Sequence, residues 1–269
     1  MSNPLKWHGG KTYLAPCILE HFPSRDRYTH YLEPYAGGLA VLFAHDPEGK
    51  SEAVNDIYLG LSNFWFVLAN IPDRMIRQLW GTPLSQAAWE DSFSQETADT
   101  DRVRRATAFF IRYRQSRQGL GKDYCTPTKR VRRGMNENVS AWLSAVDGLP
   151  EAHERLRRVE VRCMDALDFI DQYDHEKAVF YLDPPYLHET RVTTKDYAHE
   201  MPVEAHRSLL ERLRTLKGMF LLSGYPNALY SEYAAANGWT EYRKEIDNKA
   251  SSKDVKEKKT ECLWVNYAR

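Results

Sequence analysis

The fold class is decided by residues 178–186, which read Ala178-Val179-Phe180-Tyr181-Leu182-Asp183-Pro184-Pro185-Tyr186. The first five residues form a continuous apolar run with the length of a buried strand. The two prolines fix their own φ and carry no amide hydrogen, so the strand ends there. Asp183 and Tyr186 then follow the carboxyl end of the strand, which is the edge where open α/β sheets bind their ligands.

The four residues after this strand have the chemistry of a site for an amino group. The Asp183 carboxylate and the Pro184 carbonyl are hydrogen-bond acceptors, and an exocyclic amino group carries two donors. Pro185 keeps the turn rigid, and Tyr186 offers a flat face on which a base can stack. The alternative is a strand that ends in a Pro-Pro turn with a capping aspartate, and the tetrapeptide alone leaves both interpretations open.

The composition is typical of a soluble globular protein. Of 269 residues, 42% are apolar and 28% are charged, and 37 basic residues balance 37 acidic ones. No apolar run reaches the roughly 20 residues of a membrane helix, and the amino terminus has no signal-peptide core, which predicts a cytoplasmic protein. The cysteines are far apart, without a Cys-x-x-Cys pair. We therefore expect no metal site and no disulfide framework.

Basic residues are concentrated in one part of this neutral chain. Eleven of them lie between Asp101 and Arg133, against two acidic residues. Such clustering is the electrostatic footprint of a protein that binds phosphate. A weaker cluster runs from residue 243 to 259, where a solvated surface explains the charges equally well. The predicted DNA-binding residues are Arg112, Arg114, Arg117, Lys122, Lys129, Arg130, Arg132 and Arg133.

The pattern of apolar residues changes twice along the chain. Residues 1–60 and 154–269 contain short apolar strands separated by helical segments, whereas residues 61–153 show helical spacing and no strand-like run. We therefore predict a doubly wound, Rossmann-like α/β domain made of residues 1–60 and 154–269, with a helical domain inserted at residues 61–153. The predicted helices are 14–22, 39–44 and 203–216, and the predicted strands are 28–32, 53–54, 159–161, 179–182, 219–222 and 263–267.

A glycine-containing turn follows the first predicted strand. Glu33-Pro34-Tyr35-Ala36-Gly37-Gly38 joins that strand to a helix, and its adjacent glycines permit positive φ and close approach of a ligand. About eighteen residues later Asp56 ends the next strand, where nucleotide-binding α/β units place an acid on ribose hydroxyls. The fingerprint G-x-G-x-x-G is absent from this turn, and an ordinary helix start explains the glycines alone equally well.

The segment Lys6-Trp7-His8-Gly9-Gly10-Lys11-Thr12 ends like a phosphate-binding P-loop. A P-loop needs a glycine five residues before Gly10, where Leu5 stands, and it needs a strand that leads into it, so we reject this interpretation. A tryptophan beside paired glycines and a lysine suits an adenine stack with a charged neighbour. The plainer alternative is Trp7 in the core and Lys11 on the surface.

In this order, the segments resemble the Dam-type DNA adenine N6-methyltransferases, which are amino-methyltransferases of the α arrangement. Lys6 to Lys11 is similar to the family's Lys-Trp-Ala-Gly-Gly-Lys motif, and Glu33 to Gly38 resembles its Glu-Pro-Phe-x-Gly-Gly turn. Asn55-Asp56 and Asp183 to Tyr186 resemble its acidic and catalytic motifs. The stretch from Glu261 to Tyr267 is similar to its terminal strand, so the resemblance covers both ends of the chain.

The resemblance implies a methyltransferase that uses S-adenosylmethionine to methylate N6 of adenine in DNA, with the target base flipped into the Asp-Pro-Pro-Tyr site. The residues implied to be catalytic are Asp183, Pro184, Pro185 and Tyr186. The residues implied to bind the cofactor are Trp7, Gly9, Gly10, Lys11, Pro34, Tyr35, Ala36, Gly37, Gly38, Asp56, Ile57, Asp165, Ala166 and Asp183. For Asp165, capping of the following helix is the alternative to a bond with the cofactor's adenine.

The middle of the chain departs from the family pattern. Residues 112–121 replace the Asn-Gly and Phe-Asn-x-Pro stretches of better-known members, so no target sequence is implied. The expected partner is double-stranded DNA, bound by a monomer in a restriction-modification or phage context. The polar segment 188–201 is either a loop that closes over the flipped base or an ordinary surface loop.

Other functions share parts of this pattern. Cytosine N4 methylation uses the same amino chemistry, RNA is a less favoured substrate, and a catalytically inactive DNA-binding accessory protein is the alternative outside enzymes. Cytosine C5 methylation needs a thiolate in a Pro-Cys motif. Pro16-Cys17 lies in a predicted helix before the glycine turn, which is the wrong place for that nucleophile.

Overall fold

The structure is a computed structural model that describes residues 3–98, 100–187, 201–247 and 258–268. Residues 188–200 of the predicted closing segment and most of the weaker basic cluster lie outside these ranges. Within them, no helix is long and apolar enough to cross a membrane.

The described residues contain a seven-stranded sheet and a separate two-stranded ladder. The strands are β1 (His30–Glu33), β2 (Ser51–Asn55), β3 (Val131–Arg132), β4 (Met135–Asn136), β5 (Val159–Arg162), β6 (Ala178–Leu182), β7 (Met219–Gly224), β8 (Thr240–Asp247) and β9 (Lys258–Val265). The order in the large sheet is β5-β2-β1-β6-β7-β9-β8. Strand β6 is parallel to β1 and β7, and β9 is antiparallel to β7 and β8.

The strand order reverses once in the sheet. From β1 the chain adds β2 and then β5 on one side, and it returns to add β6 and then β7 on the other side. Such a reversal is the topological switch point of a doubly wound sheet, and it lies between β1 and β6. The predicted Rossmann-like α/β fold is confirmed.

The predicted helices 14–22, 39–44 and 203–216 are confirmed with slightly different bounds, and helices make up most of residues 61–153. The helices are α1 (Ala15–Glu20), α2 (Ala40–Ala44), α3 (Leu59–Asn70), α4 (Pro72–Trp80), α5 (Gln86–Ala98), α6 (Arg102–Arg114), α7 (Glu137–Asp147), α8 (Leu149–Leu156), α9 (Ala166–Tyr173), α10 (Val203–Arg214) and α11 (Ala228–Asn237).

Two features of the strands differ from the prediction. The helical part of the chain contains the β3–β4 hairpin, in which Val131 pairs with Asn136 and Arg132 with Met135. Strands of two residues are too short for an alternating pattern to be recognised. The edge strand β8 was also missed, because its sequence is mostly charged and an edge strand tolerates such side chains.

The chain divides into two compact units. The first unit consists of Met1–Leu19, Ala36–Asp46 and Val54–Cys163. The second consists of Glu20–Tyr35, Pro47–Ala53 and Met164–Arg269. The predicted domain division at residues 61 and 153 stays a prediction.

Each unit has its own apolar core. In the first unit, Phe64 of α3 stacks on Phe109 and Phe110 of α6, with ring centroids 5.7 and 5.6 Å away. In the second unit every residue of β6 and β7 is buried, and Phe180 and Phe220 belong to one apolar cluster. Continuous apolar strands of this kind are expected where helices cover both faces of a sheet.

Candidate active site

The switch point places two predicted site residues at one edge of the second unit. Leu32 of β1 pairs with Phe180 of β6 in parallel register. Tyr35 and Asp183 each follow that pair by three residues, so both lie beyond the carboxyl ends of adjacent strands. Ligands of open α/β sheets bind at this position.

The residues after β6 are held in place by their neighbours. Asp183 is half-buried and Pro184 is buried. The buried Tyr186 hydroxyl donates a hydrogen bond of 2.8 Å to Glu261 Oε2. Its ring meets the Tyr225 ring edge-on, with centroids 4.6 Å apart. Asp183 therefore precedes a rigid turn.

Two side chains near this turn were not predicted as site residues. Burial raises the pKa of the Tyr230 hydroxyl far above its ordinary value, and the nearby Tyr35 and Asp183 raise it further. The Tyr230 oxygen lies 2.8 Å from Nδ1 of His206, which is fully buried. Both residues occupy ordinary helical patterns in α10 and α11, so the sequence carried no signal for them.

Asp165 caps α9. Its Oδ1 accepts hydrogen bonds from the amides of Leu167 (2.8 Å) and Asp168 (3.4 Å), and Ala166 is the first residue of the helix. The capping alternative is therefore confirmed, and the role of Asp165 toward a cofactor stays a prediction.

The glycine turn of the first unit is built around Asp56. Its Oδ2 accepts a hydrogen bond from the Gly37 amide at 3.0 Å, and its Oδ1 accepts one from Tyr58 at 2.9 Å. Trp65 Nε1 donates to the Gly37 carbonyl at 3.0 Å. Gly37 has a φ of +47°, which favours glycine. The next residue in the cofactor prediction, Ile57, is exposed.

Trp7 lies against the two glycines. A Cβ at Gly37 would be 3.2 Å from Trp7 Nε1, and a Cβ at Gly38 would be 3.0 Å from Trp7 Cβ. The Trp7 ring also contacts Tyr113 and Phe109, at centroid distances of 5.0 and 6.1 Å. The absence of a side chain at these two glycines thus allows the half-buried Trp7 to pack closely against them.

Lys11, the last residue of the predicted cofactor motif, is buried. It is 6% exposed, and its Nζ donates a hydrogen bond of 3.1 Å to the Gly9 carbonyl. No strand is present among residues 3–10, in agreement with the rejection of a P-loop. The prediction of an exposed Lys11, which was the plainer alternative, is wrong because the side chain folds back over Gly9.

Three of the predicted DNA-binding arginines have partners within the first unit. Arg112 forms an ion pair of 2.8 Å with the buried Glu96. Arg114 donates to the Ala141 carbonyl, and burial lowers its pKa to about 10. Arg133 donates to Ser140 and to Ser144 of α7. The other predicted DNA-binding residues are exposed, namely Arg117, Lys122, Lys129, Arg130 and Arg132.

The β3–β4 hairpin presents part of this exposed positive charge. Arg133 and Gly134 form its turn with φ values of +52° and +73°, the combination of a type I′ turn. The bonds from Arg133 to α7 anchor the turn. Val131, 74% exposed, stands between Arg130 and Arg132.

Tyr186→Phe tests the anchoring of the turn after β6. We expect the free energy of unfolding to fall by about 1.5–3 kcal/mol, because a buried hydrogen bond to a carboxylate is lost while the ring remains. Urea denaturation measures the change. Tyr233→Phe is the matched control, since it removes a 2.6 Å bond to the exposed Glu211. Equal losses in both variants would contradict the anchoring role.

Comparison with known proteins agrees with these features. Residues 7–260 match the model of the D12 class N6 adenine-specific DNA methyltransferases. The chain is 27% identical over 199 residues to the type II methyltransferase M.MjaIII of Methanocaldococcus jannaschii, with 68% of each chain covered. It is 27% identical over 212 residues to the type II methyltransferase M1.LlaDCHI of Lactococcus lactis subsp. cremoris, covering 72% of this chain and 69% of that protein.

The match extends over nearly the whole chain, and it confirms the resemblance drawn from the motifs. Membership in this family implies S-adenosylmethionine as methyl donor and DNA as substrate. The chain belongs to the D12 class of N6 adenine-specific DNA methyltransferases.

Proposed function

We propose that Asp183 and Pro184 activate the adenine amino group. Its lone pair is delocalised into the ring, which makes the amine a poor nucleophile. The Asp183 carboxylate and the Pro184 carbonyl each accept a hydrogen bond from one of its two N–H groups. This arrangement favours a pyramidal nitrogen with an available lone pair. Pro185 fixes the turn, and Tyr186 stacks on the flipped base. S-adenosylmethionine, when bound, supplies an electrophilic methyl group on a sulfonium.

The observation that carries this proposal is the register of β1 against β6. It brings Tyr35 and Asp183 to the switch point, where ligands bind. The bond from Tyr186 to Glu261 then fixes the turn that follows Asp183. A carboxylate on a fixed turn supports the positioning that this reaction needs.

The residues proposed to bind the cofactor have suitable chemistry. The Asp56 carboxylate, held by the Gly37 and Tyr58 amides, is an acceptor group of the kind that binds ribose hydroxyls. Lys11 is a cation for the cofactor's carboxylate, and Trp7 provides a ring for its adenine. The other proposed cofactor residues are Gly9, Gly10, Pro34, Tyr35, Ala36, Gly37, Gly38, Ile57, Asp165, Ala166 and Asp183.

Residues 61–153 are proposed to form the target-recognition domain of a monomer that binds double-stranded DNA. The exposed basic residues of this part, from Arg117 to Arg132, supply phosphate contacts. The two relatives named above are type II methyltransferases, which favours a restriction-modification setting for this chain.

The double substitution Arg130→Ala/Arg132→Ala tests these contacts. We expect weaker DNA binding and a slope of log K against log salt that is shallower by about two, since each lost phosphate contact contributes about 0.9. Fluorescence anisotropy over a salt series measures it. Arg207→Ala/Arg214→Ala, on the exposed side of α10, should leave the slope unchanged. If both pairs of substitutions act alike, the hairpin does not contact phosphates.

The test of the function is nucleoside mass spectrometry of unmethylated duplex DNA after incubation with the protein and S-adenosylmethionine. N6-methyladenine is the expected product. N4-methylcytosine would overturn the choice of base and retain the amino chemistry. If no methylated DNA base forms while the cofactor binds, RNA and single-stranded DNA are the next substrates to test.

A further inference from the structure

We propose that Tyr58, Glu96, Arg112 and Tyr113 are positioning residues that hold the Trp7 ring in the orientation needed for cofactor binding. This inference rests on the proposed role of Trp7 and deepens it. It also gives Arg112 a role inside the first unit in place of the phosphate contact that the sequence suggested.

The four side chains form a network of hydrogen bonds in which each donor can be assigned. Tyr58 donates its single hydroxyl hydrogen to Glu96 Oε1 at 2.8 Å. The 3.1 Å contact between the two tyrosine hydroxyls must therefore be donated by Tyr113. Glu96 Oε2 accepts from Arg112 at 2.8 Å, and Arg112 Nε donates to the Gly121 carbonyl at 3.0 Å. Every hydrogen bond in this network therefore has a defined donor.

Two members of this network are buried, and Tyr58 and Arg112 are half-buried. Glu96 is 8% exposed and Tyr113 is 7% exposed. Burial raises the pKa of both Tyr58 and Tyr113, so that both hydroxyls stay protonated at neutral pH. The Arg112 guanidinium also stacks over the Phe93 ring, 4.3 Å from its centroid. A partly buried network in which every hydrogen bond has a defined donor holds its side chains in one arrangement.

This network is in contact with Trp7. The Tyr113 ring is 5.0 Å and the Tyr58 ring 6.4 Å from the Trp7 ring, measured between centroids. Gly37 and Gly38 also lie against Trp7, since an added Cβ at either glycine would be within 3.2 Å of it. The indole thus contacts the glycine turn and two tyrosines, of which Tyr58 is bonded to Glu96 and Tyr113 to Tyr58.

The amino-terminal segment is attached at a second point of the same helical region. Lys6 Nζ donates to the Ser116 carbonyl at 2.9 Å, and the Ser116 hydroxyl accepts from the Gly121 amide at 2.9 Å. The Gly121 carbonyl also accepts the hydrogen bond from Arg112 Nε. Residues 6 and 7 are therefore both held by the loop and helix that follow Glu96.

The test is a double-mutant cycle on binding of S-adenosylhomocysteine, measured by calorimetry. Tyr58→Phe/Tyr113→Phe removes both hydroxyls and keeps both rings. We expect its dissociation constant to rise about tenfold in the wild-type background and by less than about twofold in the Trp7→Ala background. Tyr124→Phe removes a hydroxyl outside the network and should leave affinity unchanged.

A second readout needs no cofactor. The Gly10 amide is bonded to the Trp7 carbonyl at 3.1 Å, so its hydrogen exchange reports the order of this segment. The double variant should exchange faster there, and the Tyr124→Phe protein should not. Arg112→Gln should leave the salt dependence of DNA binding unchanged.

Three results would overturn the inference: a tenfold loss that persists without Trp7, an unchanged affinity in the double variant, or a salt slope that falls by about one in Arg112→Gln. A wild-type protein that fails to bind S-adenosylhomocysteine would instead contradict the proposed cofactor site. The two failures are therefore distinguishable.

Discussion

Asp183→Asn is expected to lower kcat for DNA methylation by about 10²–10⁴-fold while DNA binding stays near wild type. The asparagine keeps the shape of the side chain and removes its negative charge. Its amide oxygen is uncharged and its amide nitrogen is a donor, so it accepts the adenine N–H much less strongly than the carboxylate does. Asp183→Ala removes the acceptor altogether and should abolish methyl transfer.

Single-turnover methylation and anisotropy with the same duplex separate chemistry from binding for these variants. Asp168→Asn is the matched control, because Asp168 is an exposed carboxylate of the same unit and has no part in the proposed site. Near-normal turnover in Asp183→Asn would show that another group accepts the N6 hydrogens. A parallel loss of DNA affinity would point to a binding role.

Gly119→Ala is expected to give the largest loss of stability, about 2–5 kcal/mol in the free energy of unfolding. Gly119 has a φ of +73°, and an added Cβ would lie 2.4 Å from the Lys6 carbonyl oxygen and 2.8 Å from its carbon. Both are backbone atoms, so relief requires movement of the segment that carries Trp7. Cofactor affinity should fall together with stability.

Gly134→Ala is the matched control for this substitution. Gly134 has the same φ of +73°, but no atom lies within 4 Å of its added Cβ. In Gly134→Ala the free energy of unfolding should fall by only about 1–2 kcal/mol, because a residue with a side chain is strained at this positive φ. The difference between the two variants in urea denaturation therefore measures the effect of the steric clash with Lys6. Similar losses of stability would show that the amino-terminal segment moves away from the added Cβ without loss of stability.

Local patterns in the sequence were sufficient to predict the fold class and the family. The apolar run from Ala178 to Leu182 became a fully buried strand, and the helical spacing of residues 61–153 agrees with helices such as α3 and α6. These signals are local, since periodicity, prolines and glycines constrain the backbone within a few residues. For the same reason the motifs were recognisable without knowledge of their neighbours.

Which side chains meet could be learned only from the folded chain. Arg112 and Lys129 look alike in a basic sequence, yet Arg112 is paired with Glu96, sixteen residues earlier, and Lys129 is exposed. Trp7 packs on Tyr113, and Tyr186 bonds to Glu261, although these partners are far apart in the chain. Burial and pairing depend on contacts between distant segments, which no local pattern encodes. These contacts separate arginines that are paired within the fold from those that are exposed on its surface.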